Sequence, residues 1–300
     1  GADRTSTRRR SYSRPRPRAW GYGRPWTEHE PRTRSGSPTS RPSSTLLSGW
    51  ATATEPAPHV LLIVLDTVRA DAWEPTEDGV AMPRLREFSQ QGTRFPNAVT
   101  PAPWTLPAHA SMFTGRSPHE LTAGWRTGLD GQWPTLAEVL AGRGYQTAGI
   151  IANQWYCGAE TGLARGFQYY NDYAISGSSL LISSAMGRKI ADLARVKNWM
   201  TGSPNDFVGR RDAREVNQLC LRWLDDHADR PCFMFLNYFD AHDPYVPRDG
   251  FQRRAPVTPR EHELLANWWN LDKSAVAPDD AQFVTANYRD CLRYLDDQVA

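Results

Sequence analysis

Residues 59–67, His59-Val60-Leu61-Leu62-Ile63-Val64-Leu65-Asp66-Thr67, constrain this chain more than any other stretch. Six consecutive Val, Leu and Ile residues run without Gly or Pro into a carboxylate. Such a run reads as a strand buried on both faces, the kind found in parallel sheets, with Asp66 at its carboxyl end. In open α/β sheets ligands bind just outside the carboxyl ends of the strands, which makes Asp66 a candidate for holding a ligand or metal. The competing reading makes Asp66 only the cap of a helix beginning near Val68-Arg69-Ala70-Asp71. Taken alone, this stretch weighs the two readings equally.

The rest of the chain repeats the pattern. Met82–Gly92 reads as a crossover helix, with Pro near its start and Gly at its end. Thr93–Val99 reads as a short strand. A Pro-rich loop then delivers Thr105 to the start of a short helix closed by Gly115. A hydroxyl there is either a cap or a nucleophile, because backbone N–H groups at a helix N-terminus favour a bound oxyanion. Trp133–Gly144 reads as a helix and Tyr145–Asn153 as a parallel strand ending in Asn153. Residues 171–212 are less regular, with room for a lid or an inserted helix pair. Glu215–His227 is an amphipathic helix, and Cys232–Phe239 a buried strand that ends in Asp240-Ala241-His242-Asp243-Pro244-Tyr245. This alternation predicts an α/β fold with a doubly wound, mostly parallel sheet. Three strands each end in a polar candidate: Asp66, Asn153 and the Asp240/His242 pair. Beside two carboxylates and a Pro turn, His242 reads as catalytic rather than structural. His109 lies four residues after Thr105, on the same helix face, placed to orient the substrate or the hydroxyl. His119 has no such partner and reads as a surface residue.

Charge divides the chain into two parts. Residues 1–59 carry eleven Arg, no Lys and four acidic residues, a formal +7, leaving −5 for residues 60–300 out of the total of +2. No nucleic-acid surface is therefore implied for the body of the protein. Residues 1–58 are an Arg/Ser/Pro-rich tail without the apolar surface that would offset ordering, and are expected to be disordered and dispensable. A solvated tail is the favoured reading. A transit-type leader, a weak site for anionic polymers and upstream sequence translated by mistake are the others, since the chain opens on Gly1. No run of about eighteen apolar residues suggests a membrane span. Cys157, Cys220, Cys232 and Cys291 lack metal-type spacing; Cys220 and Cys232 read as buried thiols, which favours a reducing, cytoplasmic setting.

Six pieces, in this order, carry a family resemblance: VLLIVLDTVRAD, MPRLREFSQQGTRFPNAVTPAPWTLPAHASMFTGR, TLAEVLAGRGYQTAGIIAN, GLARGFQYYND, FLNYFDAHDPYVP and YRDCLRYLDDQV. Together they resemble the sulfatase family, within the wider alkaline-phosphatase superfamily, from about His59 to the last residue. The resemblance implies a metal-dependent ester hydrolase or transferase. In it Asp66 ligates the metal, Thr105 stands at the nucleophile and metal position, and His242 contacts the oxyanion; His109 joins Thr105 and His242 as a catalytic candidate, and Asn153 and Asp240 are the substrate-binding candidates.

The departures sharpen that expectation. Sulfatases carry a Cys or Ser, converted to formylglycine, at the head of Cys-x-Pro-Ser-Arg; here the segment is Thr105-Leu106-Pro107-Ala108-His109, and Thr cannot be oxidised to that aldehyde. The motif Arg is His109, the later Gly-Lys is Ala152-Asn153, and the paired Asp-Asp is Asp66-Thr67. The pattern resembles Thr-nucleophile branches of the superfamily, such as phosphodiesterases and lipoteichoic-acid-synthase-like phosphotransferases. Hard oxygen ligands suit Mg²⁺, Mn²⁺ or Ca²⁺, with Zn²⁺ the alternative. The expected substrate is a small-molecule, glycan or lipid ester. The family's later Asp-His-Gly strand, which supplies the remaining metal ligands, is expected beyond Ala300, so residues 59–300 are expected to form the N-terminal portion of the domain with an incomplete sheet and metal site. The alternative is a non-catalytic module that keeps the fold for binding, or an inactive fragment.

Overall fold

The computed structural model describes residues 57–76, 79–172, 210–248 and 250–300, together with positions 186, 189, 190 and 193. Strands β1 (Val60–Leu65), β2 (Gln146–Ile151), β3 (Tyr169–Asn171) and β4 (Cys232–Tyr238) form one sheet in the order β1-β4-β2-β3, and every neighbouring pair is parallel. Val60 lies opposite Phe233 and Leu65 opposite Tyr238, while Gln146 lies opposite Cys232 and Ile151 opposite Asn237. The chain thus leaves a place between β1 and β2 that β4 returns to fill. All four strands end on the same edge.

Side chains alternate across a strand, so β4 serves two cores at once. On one face Met234, Leu236 and Tyr238 pack with Val216, Cys220 and Trp223 of helix α5 (Ala213–His227) and with Leu292, Tyr294 and Leu295 of helix α7 (Pro278–Val299). On the other face Phe235 packs with Leu106, Ala110 and Phe113 of helix α2 (Thr105–Thr114). Helices on both faces make the sheet doubly wound, as the alternation implied. Each large side chain buried in this way stabilises the fold by about 1.5–3 kcal/mol. Gly149 of β2 is needed for close approach: a Cβ there would stand 2.5 Å from the Tyr170 ring of β3.

The helices form where their punctuation places them. Helix α1 (Pro83–Ser89) has Pro at its first position, and Asp296 of α7, 3% exposed, receives the N–H groups of Arg84 (3.0 Å) and Leu85 (2.8 Å) at its start. A carboxylate there satisfies two orphan donors and opposes the helix dipole, tying α1 to α7. Helix α3 (Leu136–Ala141) is opened by a Thr135/Glu138 capping box, and α5 by an Asp212/Glu215 box. Helix α4 (Gln154–Cys157) and the short β3 had no distinct sequence signal, whereas α6 (Pro259–Ala266) opens on a Thr258/Glu261 capping box with Pro at its first position, a signal not used above.

Three expectations are corrected. β1 is not buried on both faces: among the described residues it pairs only with β4, and Leu61 and Ile63 are 48% and 40% exposed. An apolar run reports that a strand is apolar but not how many neighbours it has. Thr93–Val99 forms no strand, since Phe95 and Val99 stand exposed and Pro96 has no N–H to give a ladder. The segment after β1 forms a single 3-10 turn, Ala70–Trp73, whose N-cap is Arg69, so Asp66 does not cap it. The tail at residues 1–58, apart from Ala57 and Pro58, and most of the 171–212 segment lie outside the described residues. Among the described residues, no helix is long and apolar enough to cross a membrane, and all four cysteines are buried free thiols.

Candidate active site

Asp66 leaves β1 with its N–H still bonded to the Tyr238 carbonyl (2.9 Å), and the chain then turns sharply at Thr67, which holds φ +60°. A left-handed residue ends the strand at once and leaves the Asp66 carboxylate at the sheet edge. Thr105, at the first position of α2, directs its Oγ toward Asp66 Oδ2 at 3.4 Å. Asn153, fully buried just past β2, donates from Nδ2 to the same Asp66 oxygen at 2.8 Å and stands 3.5 Å from Thr105 Oγ. Its orientation is fixed from both ends: Oδ1 accepts the Tyr156 N–H, and its own N–H donates to Asn237 Oδ1 at 2.8 Å. Three residues separated by up to 87 positions thus meet at one carboxylate oxygen.

The first turn of α2 adds donors. Its first intrahelical bond runs from Ala108 N–H to Trp104 O, and Pro107 has no N–H, so the N–H groups of Thr105 and Leu106 precede the helical ladder. Trp104, which precedes Thr105 in the chain, has its ring edge-on to Trp125 and Trp269.

The histidines differ from each other. His109 is buried and donates from Nδ1 to the Thr105 carbonyl at 2.7 Å, so it meets the backbone of Thr105 and not its hydroxyl. Burial holds its pKa below the ordinary value, and its Nε2, packed near Phe235, has no hydrogen-bond partner. His242 stacks on Phe239 and lies 3.0 Å from the Asp243 carboxylate. Burial works against its charge, but the Asp243 hydrogen bond and charge, with a contribution from Asp66, prevail and raise its pKa. The raised pKa favours the protonated form of His242, and Asp243, whose own pKa His242 lowers despite burial, is its partner.

Asp240 is placed elsewhere. Its Oδ1 accepts the Ala213 N–H at the start of α5, and Oδ2 is buried without a partner, so its hydrogen bonds do not go to Asp66, Thr105 or Asn153. Burial, helped by Asp212, pushes this carboxyl up to about 6 against the opposing Arg210, Arg248 and the Ala213 N–H. Because the folded form holds the proton more tightly than the unfolded chain, the stability it contributes is present below about pH 4 and lost as pH rises through about 6. Asp240→Asn keeps an acceptor for Ala213 without the charge. It is expected to gain on the wild type by about 2 kcal/mol between pH 4 and pH 7, read as the difference in Tm at each pH; a pH-independent difference would contradict this.

Two arginines escaped the sequence reading. Arg210 donates from Nη1 to the Pro244 carbonyl (2.7 Å) and from Nη2 to those of Phe239 (3.0 Å), Asp240 (2.9 Å) and His242 (3.1 Å). Arg211 donates to the carbonyls of Ile151 (2.6 Å) and Asn171 (2.8 Å), fixing the ends of β2 and β3. Asn237 is the other omission, and it did have a signal: an amide inside the apolar Cys232–Phe239 run.

Asp66 and Thr105 offer a carboxylate and a hydroxyl oxygen, hard donors that fit a divalent cation in chemistry. They form part of a shell only. Among the described residues no three His, Cys, Asp or Glu side chains converge in a metal-type cluster.

Residues 58–300 match the family described as Sulfatase. An arylsulfatase of Klebsiella aerogenes is 24% identical over 240 residues, covering 70% of this chain and 49% of that protein. Arylsulfatase K of Bos taurus is 34% identical over 192 residues, covering 63% of this chain and 33% of that protein. The crystal structure of the phosphonate monoester hydrolase of Agrobacterium radiobacter superimposes with a TM-score of 0.55 at 19% identity, covering 81% of this chain and 57% of that one. The chain spans half or less of the length of these two curated relatives.

Proposed function

The chain belongs to the sulfatase family, and on that premise we propose that the protein is an ester hydrolase or phosphotransferase in which Thr105 is the nucleophile and phosphate esters are preferred to sulfate esters. The observation that carries this reading is the Thr105 hydroxyl at the first position of α2, 3.4 Å from Asp66 and 3.5 Å from the Asn153 amide. The phosphonate monoester hydrolase with the same fold acts, by its name, at phosphorus.

Members of this superfamily generally use divalent metals, and Asp66 and Thr105 are the residues here that would hold one. When bound, such an ion lowers the pKa of a coordinated hydroxyl and neutralises ester oxygens. The chain's own residues do the rest. Asp66 accepts the hydrogen bond of the Thr105 hydroxyl and turns its lone pair toward the incoming ester. Asn153, locked by Asn237 and Tyr156, keeps Asp66 in place. The N–H groups of Thr105 and Leu106 and the protonated His242 face the anionic oxygens. The Thr105 hydroxyl proton passes to Asp66 as Oγ bonds to phosphorus, and the bond from phosphorus to the leaving oxygen breaks with its electron pair, that oxygen taking a proton from His242 or water. Water or an acceptor alcohol then attacks phosphorus and gives its own proton to the now neutral His242 or to solvent, and Thr105 departs with its electron pair and recovers the proton held by Asp66.

The preference for phosphate follows from the second step. A formylglycine hydrate expels sulfate by collapsing to the aldehyde, with no second attack at sulfur. Thr105 has no such exit. A sulfated threonine must be opened at a sulfur that carries less negative charge for His242 and the helix terminus to grip, whereas a phosphothreonine presents more. Matched aryl phosphate, aryl phosphodiester and aryl sulfate substrates on the full-length protein test this. A phosphate or diester is expected to be turned over faster by at least tenfold, roughly 1.4 kcal/mol in the barrier; dominant sulfate turnover would overturn the reading.

A further inference from the structure

Resting on that reading of the site, we propose that Tyr288 is a positioning residue that holds Asp66 in register with Thr105. Tyr288 lies on α7, a helix that supplies none of the reacting groups. Its hydroxyl accepts the Arg69 N–H at 2.9 Å and donates to the Thr67 carbonyl at 3.2 Å, using both of its hydrogen-bonding capacities on the segment that leaves Asp66. Burial raises its pKa, so the donor proton is retained.

What that hydroxyl restrains is an uncommon conformation. Thr67 is the single non-glycine residue with positive φ among the described residues, and a β-branched side chain disfavours that region strongly. Left unrestrained, Thr67 relaxes to negative φ and swings the Asp66 carboxylate away from the Asn153 amide and the Thr105 hydroxyl. The ring of Tyr288 does a second task. It packs edge-on against Tyr245 at 5.4 Å, and Tyr245 directly follows Pro244, whose carbonyl Arg210 holds. A single side chain therefore touches both the segment after Asp66 and the loop of His242 and Asp243.

The test is a four-variant cycle in the full-length protein: wild type, Tyr288→Phe, Thr67→Gly and the double variant, assayed with whichever ester is turned over best. Tyr288→Phe keeps the ring against Tyr245 and removes both hydroxyl bonds. It is expected to lower kcat on the order of tenfold with KM changed less than about twofold, the size of effect that small misplacement of a reacting group produces. In the Thr67→Gly background the same substitution is expected to cost less than about threefold, since glycine holds positive φ unaided. Thr67→Asn, which also tolerates that region, gives a second background. Equal losses in all backgrounds, an unchanged kcat, or a loss that follows the fall in Tm would overturn the proposal. Thr105→Ala is run alongside: if it turns over at the wild-type rate, the nucleophile reading fails, while the Tyr288–Thr67 coupling is still read from whatever activity the site has.

Discussion

Thr105→Ala is expected to lower kcat by on the order of a thousandfold or more, because a covalent route with no nucleophile has no partial substitute within the site. The fold is expected to tolerate the change. Thr105 is half-buried, its hydroxyl contacts are long at 3.4 and 3.5 Å, and α2 is anchored by the buried Leu106, Ala110 and Phe113, none of which is altered. Thr105→Ser keeps an oxygen at the same place and is expected to retain measurable turnover. Steady-state kinetics on the three proteins, with Tm as the control for folding, decide the matter. An Ala variant that works as well as the Ser variant would mean that the hydroxyl is a bystander and that the ester is attacked by something else.

Arg210→Met is expected to be the most destabilising single substitution near the site, by about 3–5 kcal/mol. Arg210 is 9% exposed, and its guanidinium serves the four carbonyls of Phe239, Asp240, His242 and Pro244. Methionine matches its bulk but leaves buried acceptors without donors, each at a cost of about 1–3 kcal/mol before relaxation. It also removes a charge that opposes the upward shift of the Asp240 carboxyl. Arg210→Lys is expected to recover little, since one ammonium cannot reproduce a planar fork aimed at four oxygens. Urea unfolding of the three proteins gives the values. A loss below 1 kcal/mol for Arg210→Met would show that water or backbone movement replaces the guanidinium readily.

What could be read from the residues was the part of the site that sits where apolar runs stop. Asp66 and Asn153 stand at strand ends, and Thr105 follows a Pro-rich loop into a helix closed by Gly115, so local pattern placed the first two at the edge of a parallel sheet and the third at a helix N-terminus. The pattern could not say what their neighbours were. Asp240 and His242 look equivalent in sequence, yet one accepts the Ala213 N–H at the start of α5 and the other pairs with Asp243, because the choice depends on where the start of α5 lies in space. Arg210, and the role of Tyr288 at the head of YRDCLRYLDDQV, were not legible for a related reason: they act on backbone carbonyls and N–H groups of distant segments, and backbone groups carry no sequence. The exposure of Leu61 and Ile63 was hidden too, since the run Val60–Leu65 is apolar whether one strand flanks it or two.

The place of β4 between β1 and β2 also sets a clock. His59 and Cys232, which bond at the start of the paired strands, are 173 positions apart, and among the described residues β2 has no sheet neighbour other than β4 and the short β3. During synthesis at about 5–20 residues per second, β1 therefore emerges roughly ten to thirty-five seconds before the strand that completes it. Throughout that interval Leu61 to Leu65 have no ladder to join, and Asp66, Thr105 and Asn153 have no common scaffold. Among the described strands β4 is the last to be made and the one through which β1 and β2 meet, so Asp66, Thr105 and Asn153 come together only once β4 slides into its gap.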